Sequence, residues 1–276
     1  MFKHAQNFQM SPEFFPRRIV CLTAETTELL YALGAGNRVV GVSGYSVRPP
    51  EARQKPKVSA FTTAKIDRIL DLKPDLVLAF SDLQADIARD LIKKGVNVLT
   101  LNQRSIAETL QAATWVGRLI GAEEQAKKYV EVFETAMNQA IALAANFTSR
   151  PRVYFEEWDD PMISGIAWVS EIIEIAGGKD IFPELKRGKS ATERICKSDE
   201  VIRRNPQIIL ASWCGKKVQR QTIRERRGWD KIEAVGNEQI FEIKSPDILQ
   251  PGPSLLRGLR QIQEIIAQHV GCEVQV

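Results

Sequence analysis

Two short segments of this 276-residue chain carry side chains with reactive chemistry. In EEWDDP, Glu156 to Pro161, carboxylates flank Trp158, and Asp159 with Asp160 beside an aromatic ring could serve general acid and base catalysis. The separation that such a pair requires cannot be read from neighbouring residues. In SWCGKK, Ser212 to Lys217, Cys214 stands beside Lys216 and Lys217, a setting that can lower a thiol pKa and make a nucleophile. Nucleophilic catalysis also needs a base. The histidines are His4 and His269, neither near this segment, so a structural or ligand-contacting Cys214 is the favoured reading. Cys21, Cys196, Cys214 and Cys272 fall at no metal-ligand spacing, and with two histidines the sequence predicts no metal site and no catalytic residue.

The elements that must position these segments alternate. Ile19 to Leu22, Val39 to Val42, Asp75 to Ala79 and Val96 to Leu101 read as strands. Thr26 to Gly34, Ala64 to Leu72, Gln84 to Lys93 and Ser105 to Ile120 read as helices, which implies a parallel sheet. Glu123 to Ala145 carries helix formers without Gly or Pro, roughly 30 Å or more of helix, enough to join two lobes. After Pro151 the pattern restarts. TELLYALGAGNRV from Thr27 parallels SEIIEIAGGKDI from Ser170, and KGVNVLTL from Lys94 is answered by VGNEQIFEI from Val235. KIDRILDLKPDLVLAF from Lys65 parallels KSDEVIRRNPQIILAS from Lys197 at a constant offset of 132. The expected fold is α/β: two related Rossmann-like parallel-sheet lobes joined by a long helix, with a ligand cleft between them. The expected boundaries are 17–104 for the first lobe, 105–150 for a helical linker that includes the bridging helix, and 151–272 for the second lobe.

Composition narrows the function. Hydrophobic residues at 44% and charged residues at 26% are those of a globular protein, which excludes disordered, collagen-like and coiled-coil classes. A net charge of +4, with basic residues scattered apart from Arg220, Arg224, Arg226 and Arg227, argues against a nucleic-acid partner. Apolar stretches are too short to cross a bilayer. The first twenty residues hold no apolar run and no small-residue cleavage site, and the cysteines look unpaired, so the sequence as written predicts a cytoplasmic protein. The alternative is a periplasmic or cell-surface protein whose leader was removed.

Several blocks together resemble a known family. RIVCLTAETTELLYALGAGNRVVGVSGYSVRPP, IDRILDLKPDLVLAF, the Ser164-Gly165 pair before a helix ending in Gly177 and Gly178, and SDEVIRRNPQIIL resemble the helical-backbone class of ABC-transporter substrate-binding proteins. Within that class they are most similar to the vitamin B12-binding proteins, over about residues 17 to 270. The resemblance implies a monomeric, non-enzymatic carrier, with no cofactor for catalysis, whose bound ligand is cobalamin or another corrinoid and whose partner is an ABC permease. In relatives the ligand is haem or a ferric siderophore. A corrin has apolar faces and a fringe of amides, so its site needs aromatic surfaces and a few polar groups.

Carried over residue by residue, Tyr45 matches the family's aromatic residue after the second strand. Phe61 and Phe80 fall where relatives place tryptophans. Glu25 and Thr26 open the first helix and could meet ligand amides, or simply cap the helix. In the second half Trp158, Asp159, Trp213 and Cys214 should project from strand ends. Gln250, in a Pro-Gly-Pro turn, could replace an arginine that B12-binding relatives carry where Ser254 stands. Asp67 and Asp199 hold equivalent places in the two halves, where relatives usually dock on a permease through Glu; the alternative is an acid favoured by the helix dipole. Two further readings stay open: a cytosolic tetrapyrrole- or corrinoid-handling enzyme using Cys214, Asp159 and Asp160 on the same fold, and a haem or siderophore carrier.

Overall fold

The computed structural model describes residues 14–272, so His4 and most of the segment read for a leader lie outside the described residues. The chain divides into two compact units. Unit 1 runs to Asn102 and includes Gln111–Val130; unit 2 comprises Gln103–Leu110 and the chain from Glu131 onward.

In unit 1 the elements follow as β1 (Ile19–Cys21), α1 (Ala24–Ala32), β2 (Val39–Ser43), β3 (Lys57–Ala60), β4 (Thr63–Ala64), α2 (Ile66–Asp71), β5 (Leu76–Phe80), α3 (Ala85–Lys93) and β6 (Val98–Leu101). The sheet order is β4-β3-β2-β1-β5-β6, parallel except for β4 against β3. Every residue of β1 and β5 is buried, as expected of central parallel strands covered on both faces. Alternation along β1 sorts its side chains. Ile19 and Cys21 pack with Leu29, Leu30, Val116 and Ile120 on one face, while Val20 and Leu22 pack with Ile69, Ile87 and Leu91 on the other.

Two helices follow, α4 (Ile106–Leu119) and α5 (Glu123–Ala144), and both contribute residues to each unit. The start of α4 is fixed by a capping box: Ser105 Oγ accepts the Glu108 N–H at 3.2 Å, and Glu108 Oε2 accepts the Arg104 and Ser105 N–H groups at 2.6 and 3.0 Å. Those two N–H donors hold the Glu108 carboxyl below its ordinary pKa.

Unit 2 repeats the plan with β7 (Arg152–Asp159), β8 (Met162–Ser164), α6 (Ala167–Ile175), β9 (Lys179–Asp180), α7 (Ser198–Arg204), β10 (Ile208–Ala211), α8 (Arg220–Arg224), α9 (Glu233–Gly236), β11 (Ile240–Glu242), α10 (Ser245–Ile248) and α11 (Leu255–His269). The order is β11-β10-β7-β8; β9 runs parallel to the first residues of β7, and β8 antiparallel to its last. Tyr154 anchors the core, edge-on to Phe182 at 5.8 Å and to Trp229 at 6.1 Å. Gln263 on α11 donates to the Ala140 carbonyl at 2.7 Å, tying the last helix to α5.

The internal repeat is therefore structural. Helices α1 and α6 have nine residues each, and β5 and β10 begin at residues 76 and 208, the offset of the two sequence blocks. Two local differences from the sequence reading matter. Helix α1 begins at Ala24 instead of Thr26, because extended Thr23 sits at its cap, so Glu25 and Thr26 lie inside the first turn. Short strands β3, β4, β8 and β9 extend the sheets beyond what the sequence pattern announces.

Candidate functional site

Strands β1, β2, β3 and β5 are mutually parallel, so their carboxyl ends share one edge of the unit 1 sheet. Three of the anticipated aromatic residues gather there. Tyr45, just past β2, is 49% exposed, the most accessible of them. Its backbone N–H donates to Ser43 Oγ at 3.3 Å, and the next residue is hydrogen-bonded to α1, with the Ser46 and Thr27 hydroxyls 3.0 Å apart. Phe61 occupies the turn from β3 to β4 with φ of +57°, and its ring centroid lies 6.5 Å from that of Phe80 at the end of β5.

Gln84, for which the sequence gives no signal, locks this edge. It is fully buried, accepts the Phe80 N–H at 2.9 Å and donates to the Phe61 carbonyl at 2.6 Å and the Leu22 carbonyl at 3.4 Å. One side-chain amide thus joins the ends of β1, β3 and β5.

Thr26 is 1% exposed and its hydroxyl donates to the Thr23 carbonyl at 3.1 Å. Glu25 is 6% exposed, and its Oε1 has no hydrogen-bond partner. Burial pushes the Glu25 carboxyl up to about 7, with the neighbouring Glu28 adding to the rise. Burial likewise pushes the Cys21 thiol up to about 12.

In unit 2, β7 and β10 are parallel and bring EEWDDP and SWCGKK together. Side chains from β7 and its end each find a cation from another segment. Glu156, fully buried, takes Arg226 in a two-pronged pair, the second prong at 3.0 Å, and also accepts from Trp213 Nε1 at 3.1 Å and from the Tyr154 hydroxyl at 3.2 Å. Glu157 takes buried Arg194 at 2.6 and 3.0 Å. Asp159 takes Lys216 at 2.6 Å. The Lys216 ammonium also lies 4.3 Å from the centroid of the Trp158 ring and 4.8 Å from that of Trp213. Trp158 Nε1 donates to the Asp160 carbonyl at 2.9 Å, which fixes its indole.

Cys214 is exposed, but partial burial of its thiol and the nearby Glu157 push its pKa up, the reverse of what an activated nucleophile requires. Gln250 lies half-buried in the loop after α10, and its Oε1 has no hydrogen-bond partner. Asp67 and Asp199 are both exposed in the first turns of α2 and α7. Among the described residues no group of three or more His, Cys, Asp or Glu side chains could hold a metal ion, and no helix is long and apolar enough to cross a membrane. The partners Gln84, Arg194 and Arg226 were missed by sequence reasoning. The sequence places Lys216 at the same strand end as Trp213 and Cys214 but gives no sign of its pairing with Asp159.

Comparison with known proteins gives the family. A family described as periplasmic binding protein matches residues 19–246. An ABC transporter substrate-binding lipoprotein of Bacillus subtilis is 26% identical over 271 residues, 95% of this chain and 83% of that protein. The vitamin B12-binding protein of Salmonella typhimurium is 30% identical over 259 residues, 89% of this chain and 91% of that protein. Among solved structures, a periplasmic heme-binding protein from Roseiflexus superposes with a TM-score of 0.80 at 22% identity, over 92% of this chain and 99% of that one. The cytoplasmic placement is overturned by these matches, since the family is periplasmic and the Bacillus relative a lipoprotein. Free thiols do not decide the matter: Cys21 and Cys196 are buried, and a thiol with no other thiol in reach stays free in any compartment.

Proposed function

The chain belongs to the periplasmic binding protein family, as a substrate-binding protein of ABC uptake systems, and from that premise we propose that its ligand is a corrinoid or a closely related flat metal chelate. The observation that carries this reading is the aromatic side chains open at the carboxyl edges of the two sheets, Tyr45 and the half-buried Phe61 in unit 1 and the half-buried Trp158 in unit 2; Phe80 and Trp213, which the sequence reading placed with them, are buried behind these rings, Trp213 in the unit 2 core. Aromatic faces match the apolar faces of a macrocycle, and polar groups such as Gln250 match its rim. The named ligand of the Salmonella relative supports the same choice. Binding needs no chemistry from the protein, and the raised Cys214 thiol agrees with that.

Delivery to a permease is assigned to Asp67 and Asp199, exposed at equivalent positions of the repeat. Reversing both charges should abolish docking and leave ligand affinity intact; unchanged docking would refute the assignment. The ligand itself is tested by titrating the purified chain with cyanocobalamin, cobinamide, haem and a ferric siderophore, read by tryptophan quenching and calorimetry. Micromolar or tighter corrinoid binding, lost in Tyr45→Ala, is the expected result. Preferential binding of haem would move the assignment to a haem carrier, and no binding to any of the four would remove the macrocycle altogether.

A further inference from the structure

The three acid–base pairs of the unit 2 sheet edge are not equivalent. Arg226 and Arg194 are 15% and 4% exposed at the side chain and pair with Glu156 and Glu157 through both terminal guanidinium nitrogens. Such pairs are geometrically locked, and separating one strands a buried charge. Lys216 is different. Its side chain is 42% exposed, and a single 2.6 Å contact joins it to Asp159, which is 16% exposed. The rest of its hold comes from the indole faces of Trp158 and Trp213. Both rings are pinned, one to the Asp160 carbonyl and one to Glu156, so the ammonium has a preformed seat. Of the three cations, Lys216 is the one a ligand could recruit.

We infer that Asp159 is a specificity-determining residue: by neutralising Lys216 it makes this sheet edge favour ligands with an uncharged, amide-bearing rim over ligands that present carboxylates. The inference rests on the reading of the chain as a carrier of a corrinoid-type chelate and narrows it. A corrin carries amides around its rim, whereas haem carries two carboxylates. A ligand carboxylate gains little from Lys216 unless it takes the ammonium from Asp159, and doing so leaves a largely covered Asp159 anion unpaired. An amide makes no such demand; it accepts a hydrogen bond from Lys216 or donates one to Asp159 while the ion pair stays closed.

The test compares two ligands that differ at one group, cyanocobalamin and its monocarboxylic acid, in which one rim amide is hydrolysed, with haem as a third probe. Wild type, Asp159→Asn, Lys216→Met and the double variant are titrated as full chains. Each is first checked for a wild-type circular dichroism spectrum and melting temperature. Asp159→Asn, which frees Lys216, should shift the acid-to-amide affinity ratio toward the acid by roughly fivefold, the scale of one partly exposed ion pair. The double variant should lose that gain. A ratio that is unchanged in Asp159→Asn, or a gain that survives in the double variant, would overturn the specificity role while leaving the corrinoid reading intact. Wild type that binds none of the three probes would overturn the corrinoid reading, and the specificity role with it.

Discussion

The carboxyl edges of the two sheets are built from repeated elements and stiffened by different means. In unit 1 the neutral amide of Gln84 joins the ends of three strands, and the acids of α1, Glu25 and Glu28, are buried. In unit 2 the acids on β7 are matched by Arg226, Arg194 and Lys216, and its tryptophans hang on that charge network. A duplicated fold thus fixes where the carboxyl edge of each sheet lies but not what chemistry holds it. Strand order and crossover set the edge; side chains from distant segments set its polarity.

The largest effect should come from breaking the charge network at its most buried point. Glu156→Gln leaves Arg226 without its anion, and loss of one partner of a buried pair costs about 3–5 kcal/mol. Chemical denaturation would measure this. A loss below 1 kcal/mol would show that Arg226 finds water or another acid.

The corresponding test in unit 1 is a pH dependence. Burial raises the Glu25 carboxyl from 4.5 to about 7, so the folded state binds the proton more tightly than the unfolded state. Folding therefore bears no ionisation penalty below pH 4.5, loses stability as pH rises toward 7 and carries the full penalty above it, about 3 kcal/mol. Glu25→Gln should remove that slope. Glu171 and Asp180, also raised by burial, contribute the same sign in unit 2, so the quantity to compare is the difference between wild type and variant across pH 4.5 to 7.5. Parallel curves would place Glu25 in water.

Gln84→Met keeps the side-chain volume and removes the hydrogen bonds that Gln84 makes to the Phe80 N–H and the Phe61 carbonyl. The expected loss is about 2 kcal/mol. Amide exchange should quicken at Phe80 and leave the middle of β10 unaffected. If unit 2 loosens equally, the two edges are not independent.

How much of this was legible depends on range. The central strands could be read because β1 and β5 are unbroken apolar runs, and the repeat could be read because the KPD and NPQ turns, at Lys73 to Asp75 and Asn205 to Gln207, each precede such a run. Strands of two to four residues, such as β4 and β9, have no room for a periodicity. The aromatic residues were recognisable as strand-end positions. Their partners were not: Arg226 and Arg194 reach their acids across 70 and 37 residues, and nothing in local composition pairs them. The start of α1 was misplaced because Thr23, Thr26 and Thr27 can all serve as caps, and the choice fell to the backbone of Thr23.

The smallest effect on folding should come from Tyr45, and for that reason it gives the cleanest reading of ligand contact. Half of its surface is open, and its bond to Ser43 Oγ is made by the backbone N–H, so Tyr45→Ala should change stability by less than about 0.5 kcal/mol. Trp158→Ala, by contrast, removes a wall of the Lys216 seat and should weaken both folding and binding. If Tyr45→Ala costs tenfold or more in corrinoid affinity, roughly 1.4 kcal/mol, with its melting temperature unchanged, the unit 1 edge meets the ligand directly. Equal affinity in wild type and variant would assign recognition to the charged edge of unit 2, and Tyr45 would be an ordinary loop residue.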